Sequence, residues 1–244
     1  MNTFLIPDWP APAGIRACVT TRAGGVSVAP FDSLNLGDHV GDDPHAVAHN
    51  RQRLSHAFDV RPAWLSQVHG VVVAHANPDQ VAEADASWTA TPGIACTVMT
   101  ADCLPALFCD RAGTRVAAAH AGWRGLAAGV LEAAAQSLNV EPQEILVWLG
   151  PAIGPKAFEV GGEVREVFVK DLPDAAGAFA PSINEGRYMA DIYELARLRL
   201  ARCGITAVYG GGFCTVTDPR FFSYRRSSRT GRFASLVWIE TPAC

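Results

Sequence analysis

One domain that mixes β-strands with several helices is what the sequence predicts, on three observations. Short continuous apolar runs bounded by turn residues recur at positions 94–99, 104–109, 116–119 and 145–149, the pattern of strands buried on both faces. Helix signals lie among them: Asp42-Asp43-Pro44 opens one helix, alanine-rich residues 126–138 form another, and Asp191 and Gly204 bracket a third. No Pro/Ser-rich linker and no repeat divides the 244 residues, a length that suits a single domain.

In chain order, residues 15–22 read as a strand turned by Ala23-Gly24-Gly25. Residues 30–39 (PFDSLNLGDH) are too irregular for a regular element. The first helix has an aspartate N-cap, carries Pro44 at its first position and runs to about Phe58, with Val47, Leu54 and Phe58 on one face. His45 and His49 are i,i+4 neighbours on it; with no carboxylate to complete an HExxH pattern, they read as solvated surface histidines. A short strand over 64–68 ends in Gln67-Val68-His69-Gly70, and an extended run continues over 71–76. Residues 79–87, which contain Ala84-Asp85-Ala86, are polar and read as loop. Asp110-Arg111-Ala112-Gly113 turns between the strands 104–109 and 116–119. Gly150-Pro151 stops the strand 145–149, residues 163–170 form a short helix, and an extended piece at 188–190 leads into the helix 192–202. Residues 207–209, Gly210-Gly211-Gly212, 221–224 and 233–239 finish the chain as strands and loops.

Composition narrows the function. Apolar residues make up 49% and charged residues 18%, enough to bury a sizeable core and unlike low-complexity or collagenous chains. A net charge of −4 gives no electrostatic case for nucleic acid as the main partner. No run approaches the roughly 18 apolar residues of a membrane span. The N-terminal residues, MNTFLIPDWPAPAG, lack a basic region and carry early prolines, so they do not read as a signal peptide. Seven cysteines, odd in number and irregularly spaced, point to reduced thiols in a cytoplasmic protein.

Three polar residues stand at or just beyond the ends of apolar runs: His69, Cys103 and His120. One thiolate and two imidazoles suit zinc, and three protein ligands with a fourth position for water is the catalytic arrangement rather than the structural one. Zinc lowers the pKa of such a water to about 7. The spacings are long, and the residues alone leave two further readings open. Cys103 could be a nucleophile with His120 or His69 as base and Asp102 or Gln67 as orienter, a cysteine hydrolase. Alternatively, Cys103 is a small buried hydrophobe and both histidines are packing. Cys18, Cys96, Cys109, Cys203 and Cys214 read as buried packing, and Cys244 as a frayed terminus.

Arginines beside glycines or aromatics form a second constellation. Gly122-Trp123-Arg124-Gly125 precedes the alanine-rich helix, so free backbone N–H groups and a guanidinium could face one anion. Phe221-Phe222-Ser223-Tyr224-Arg225-Arg226 pairs aromatics with two arginines able to grip phosphate bidentately. Surface ion pairs beside a packed aromatic strand are the alternative on local grounds. Neither a P-loop nor a GxGxxG following a strand is present.

Eight motifs occur in order: TRAGGVS (21–27), SLNLGDHVGDD (33–43), QVHG (67–70), TADCLP (100–105), AHAGWRG (119–125), GPAIGP (150–155), FEVG (158–161) and FFSYRR…TGR (221–232). On these the chain resembles the YfiH/laccase-domain family, formerly described as polyphenol oxidases, over nearly all of residues 1–244. The resemblance implies a single α+β domain, mixed β-sheet layers flanked by helices, grouped with YfiH-like cysteine hydrolases. It implies His69, Cys103 and His120 as ligands of zinc, with copper as the other candidate ion. The implied activity is phosphorolysis of adenosine, inosine and methylthioadenosine to free base and ribose 1-phosphate, together with deamination of adenosine. The partners are then a small-molecule nucleoside and phosphate, with no nucleic acid or membrane. Phosphorolysis needs an anion site, for which Arg124 and Arg225 are the candidates; Asn35 and Gln67 are candidates for ribose or base. Asp102, beside the ligand cysteine, would support the site or shuttle a proton. Ser227-Ser228-Arg229 departs from the short Asp/Gly turn frequent in relatives. Three alternatives stand beside this reading: a copper polyphenol oxidase, a metal-free cysteine hydrolase and a zinc-stabilised binding module. Laccase chemistry, with its several coppers, needs more histidines than the seven present.

Overall fold

The computed structural model describes residues 4–241. Its strands begin with β1 (Phe4–Leu5), β2 (Ile15–Thr20), β3 (Arg61–Ala63), β4 (Leu65–Ser66), β5 (Val73–His75), β6 (Ala82–Glu83), β7 (Ala86–Thr89) and β8 (Ile94–Thr100). They continue with β9 (Leu104–Asp110), β10 (Val116–Ala121), β11 (Ile145–Leu149), β12 (Glu159–Gly161), β13 (Phe179–Pro181), β14 (Arg187–Ala190), β15 (Val208–Gly210) and β16 (Phe233–Ile239). The helices are α1 (Pro44–Phe58), α2 (Trp123–Ala128), α3 (Val130–Ser137), α4 (Gly162–Asp171) and α5 (Ile192–Arg202).

Two large mixed sheets make the centre. One has the order β1-β2-β16-β8-β3 and the other β15-β11-β9-β10-β7-β5; β12-β14-β13 and the pair β4-β6 are smaller. The large sheets pack face to face. Val19, Val98 and Val237 of the first meet Leu107, Ala118 and Trp148 of the second in one apolar cluster. Successive strand residues point to opposite faces, so Ala106 and Phe108 of β9 and Ala117 and Ala119 of β10 face outward. There they pack under α3 and α5, against Leu131, Ala134, Leu195 and Leu200. On the far side, α1 and the 34–36 segment cover Cys18, Leu236 and Trp238. The result is four layers, helix, sheet, sheet and helix, which is why β8, β9, β10 and β11 are apolar without alternation. Completely burying a side chain such as Phe108, Leu126 or Leu131 is worth roughly 1.5–3 kcal/mol each.

Several elements match the sequence reading closely. Asp43 caps α1, its Oδ1 accepting from the His45 amide at 2.9 Å, and Asp191 Oδ1 caps α5 through the amides of Tyr193 and Glu194. His45, His49 and His56 are exposed on α1. Four readings are corrected. The alanine-rich segment is two helices, because Gly129 adopts the left-handed region at φ +103 and ends α2 before α3 begins. Residues 79–87 are not all loop: β6 and the start of β7 lie there, and Asp85 is wholly buried. The 64–68 strand shrinks to β4, preceded by β3, whose Pro62 is tolerated because β3 is an edge strand. Residues 221–224 hold no strand; Phe221 and Phe222 are irregular, buried and packed into the inter-sheet core. Cys18, Cys96 and Cys109 are buried as expected, whereas Cys203 and Cys214 are only partly covered. Cys244 lies outside the described residues. Among these, no helix is long and apolar enough to cross a membrane.

Candidate functional site

His69, Cys103 and His120 converge, with one ligand atom of each lying within 4.8 Å of the others. Each arrives by a different route. His69 follows β4 in a loop where it adopts φ +63. Cys103 sits where the chain crosses from β8 in one large sheet to β9 in the other. His120 lies in β10, opposite Pro105 of β9, so the register sets it beside that crossover. Cys103 Sγ is 3.9 Å from His69 Nε2, and the two imidazole rings meet edge to face at 4.7 Å. Gly122 closes the back of the cluster: a Cβ there would stand 2.8 Å from His69 Cδ2 and 3.0 Å from Cys103 Sγ.

The charges are strongly coupled. Burial alone would raise the Cys103 pKa, but the His120 charge and hydrogen bonds from both histidines bring it down to about 6. Burial alone would lower that of His120, but the Cys103 thiolate and Asp85 raise it to about 9. His120 Nδ1 donates to Asp85 Oδ1 at 2.8 Å, which leaves Nε2 for the cluster. A thiolate and two imidazole nitrogens, one oriented by a buried carboxylate, are a donor set that fits zinc or copper.

The cluster forms one wall of a cavity of about 410 Å³, the scale of a small-molecule site. Trp123, Ile153, Phe158 and Ile192 line it with apolar surface, while His39, Arg225 and Arg232 bring polar groups.

The other site residues expected from the sequence divide. Asp102 and Gln67 line the cavity, but both are engaged by the protein. Asp102, at φ +103, accepts from Thr215 Oγ1 and from the Arg225 backbone N–H, each at 2.6 Å, and so ties two loops to the cysteine. The Gln67 amide pairs with the Met99 backbone at 2.8 and 2.7 Å. Arg225 also lines the cavity, with its Nη1 and Nη2 donating to the carbonyls of Ala157 and Glu159. Asn35 and Arg124 lie outside the cavity lining. Asn35 is fully buried, and its amide serves Gly37, Asp42 and the Arg232 backbone N–H, so it shapes a loop instead of facing the cavity. Arg124 is exposed on α2, stacked over Trp123 at 4.3 Å and outside the cavity lining.

Arg232, in contrast, lines the cavity. Its Nη1 contacts only the nearby Thr230 and Gly231 carbonyls, and among the described residues no carboxylate pairs with it. Burial pulls its pKa down, while the neighbouring Cys103, Asp102 and Tyr224 charges oppose that. The sequence reading missed Arg232, His39 and Asp85 as site residues. Arg232 and His39 stood inside the TGR and SLNLGDH motifs, whereas Asp85 lay in a stretch that polarity alone marked as loop.

Residues 16–240 match the family model described as multi-copper polyphenol oxidoreductase laccase. A Pseudomonas aeruginosa protein named purine nucleoside phosphorylase is 71% identical, across 98% of this chain and 100% of its own. The Escherichia coli protein named purine nucleoside phosphorylase YfiH is 55% identical over the same shares, 98% and 100%. Among solved structures, a Neisseria meningitidis protein superposes with a TM-score of 0.96 at 52% identity, covering 98% of this chain and 100% of that one. YlmD from Geobacillus stearothermophilus superposes with 0.90 at 32% identity, covering 98% and 97%. In sequence over residues 16–240, and in fold along almost its whole length, this chain belongs to the YfiH/laccase-domain family.

Proposed function

We propose that the chain is a metal-dependent purine nucleoside phosphorylase, converting adenosine, inosine or methylthioadenosine and phosphate to free base and a ribose 1-phosphate, and that it also deaminates adenosine. The observation that carries this reading is the placement of Arg232, which forms no ion pair with a carboxylate among the described residues, in the same cavity as the His69–Cys103–His120 cluster. The names of the Pseudomonas and Escherichia relatives support it.

In this reading Arg232 holds the phosphate through charge-assisted hydrogen bonds. A phosphate oxygen attacks C1′ of the ribose, and the bond to the base breaks with its electron pair leaving on the base. Trp123 and Phe158 offer flat apolar surface to the purine and exclude water around it. Asp102 and Arg225 hold the surrounding loops together. His69, Cys103 and His120 would hold the metal, and zinc there would supply a Lewis acid with an open coordination position, the chemistry that adenosine deamination requires.

A second reading has its own support. Cys103, His120 and Asp85 stand in the order nucleophile, base and orienter, the arrangement of a metal-free cysteine hydrolase. The copper oxidase reading has less: His69-Cys103-His120 is the one candidate metal cluster among the described residues, and laccase chemistry needs several coppers. Metal analysis of the purified protein, then incubation with adenosine with and without phosphate, separates the readings. Phosphate-dependent adenine release supports the phosphorylase, and inosine formed without phosphate supports the deaminase. Neither product, with amide hydrolysis persisting after chelation, would replace both with the thiol hydrolase.

A further inference from the structure

We infer that Asp85 is a positioning residue that aligns two of the three candidate ligands at once, His69 through its backbone and His120 through its ring. The inference rests on the metal reading of the cluster. Asp85 is wholly buried, and its two oxygens take four donors. Oδ1 accepts from the His69 amide at 2.9 Å and from His120 Nδ1 at 2.8 Å. Oδ2 accepts from the Val68 amide at 3.2 Å and the Gly70 amide at 2.6 Å. Three consecutive amides turned toward one carboxylate make a concavity of the kind that binds anions, here filled from within the chain.

That concavity answers a local difficulty. His69 adopts φ +63, a conformation uncommon for a residue with a Cβ, and such residues persist where their surroundings hold them. The Asp85 backbone is fixed as well, its N–H donating to the Val72 carbonyl at 3.1 Å and its carbonyl accepting from the His120 amide at 2.7 Å. One residue therefore sets the loop geometry at His69, the register at His120 and the nitrogen that His120 presents. An asparagine would put an NH2 group where donors now converge, so at least one ligand would have to turn.

The test compares Asp85→Asn with Asp110→Asn, using cobalt(II) as a visible probe of the cluster. Asp110 is also buried and also binds backbone amides, those of Thr114 and Arg115 at 2.7 and 3.0 Å, in the β9–β10 turn. Asp85→Asn is expected to weaken cobalt and zinc binding by roughly 10–100-fold in chelator competition and to change the cobalt absorption bands. Asp110→Asn is expected to lower Tm while leaving affinity and spectrum as in the wild type. Unchanged affinity and spectrum in Asp85→Asn would overturn the inference alone, as would an equal loss in Asp110→Asn. Wild-type protein that takes up neither metal would overturn the metal reading and the inference with it. If Asp85→Asn does not fold, imidazole ¹⁵N shifts of the metal-loaded wild type decide. A proton on His120 Nδ1 is expected, and a proton on Nε2 would refute the assignment.

Discussion

Replacing Gly122 by alanine perturbs the cluster with little disturbance elsewhere. Gly122 caps α2 at φ −61 and ψ 155, an extended conformation open to any residue. Alanine therefore adds no backbone strain, and it narrows the unfolded ensemble by an amount worth about 0.4–1 kcal/mol. The cost falls on the ligands. The new Cβ would stand 2.8 Å from His69 Cδ2, while carbon atoms settle about 3.5–4.0 Å apart. The His69 ring must then retreat by roughly 0.7 Å or more. Since Asp85 holds the His69 amide, the retreat comes from rotating the side chain, which carries Nε2 away from Cys103. Misplacing a reactive group by about 1 Å costs on the order of 10²-fold in rate, and disturbed ligand orientation costs about 10–100-fold in metal affinity. Calorimetry, zinc affinity by chelator competition and phosphorolysis of adenosine together form the assay. Gly122→Ala should fold with a Tm within about 4 °C of wild type while losing affinity and activity by those factors. Wild-type affinity and rate in a folded Gly122→Ala protein would refute the claim that contact with Gly122 sets the ligand geometry.

Other outcomes follow from the same geometry. Arg232→Ala should raise the KM for phosphate at least about tenfold, the loss of one or two hydrogen bonds to a charged group, with the nucleoside KM little changed. Arg124→Ala should leave both constants within about twofold, because that guanidinium stacks on Trp123 outside the cavity. In protein stripped of metal, alkylation of Cys103, followed by mass spectrometry of its peptide, should rise with pH around a midpoint of about 6. His120→Asn should move that midpoint upward by removing the opposing charge. The Cys103 contribution to the stability of the metal-free protein, from a pKa that folding depresses to about 6, is full above the thiol's ordinary value and is lost as pH falls to about 6. The His120 contribution, from a pKa that folding raises to about 9, is full below the imidazole's ordinary value and is lost as pH rises to about 9. Across that window the two oppose each other, so the net stability from this pair should change little, and a steep net slope there would contradict the coupling.

What could be read from the sequence was whatever local chemistry decides. Asp43 and Asp191 cap α1 and α5 because an aspartate before an apolar period satisfies free amides without help from afar. β8 to β11 announce themselves because burial on both faces removes polar residues from both. The three candidate ligands were visible as polar residues at strand ends and were joined by the family motifs. What long-range contact decides was hidden. On its motif Asn35 reads as a candidate substrate contact, whereas its Oδ1 accepts from an amide 197 positions away. Asp85 read as loop because its four donors come from residues 68–70 and 120, which no local window contains. The break between α2 and α3 escaped because alanine propensity on both sides of Gly129 masks a conformation only the glycine adopts.

β16 supplies residues 233–239 from near the far end of the chain, yet it is an inner strand, hydrogen-bonded between β2 and β8. A ribosome that has already released His69, Cys103 and His120 has not yet released β16, one of the two strands that flank β8. Until it does, β8 has only the three-residue strand β3 beside it, and Arg232, which directly precedes β16, is absent from the cavity. A nascent chain thus carries all three donors long before it can present them together. Site assembly is a property of the completed chain, and a truncation that spares every ligand but removes β16 should be as inert as one that deletes them.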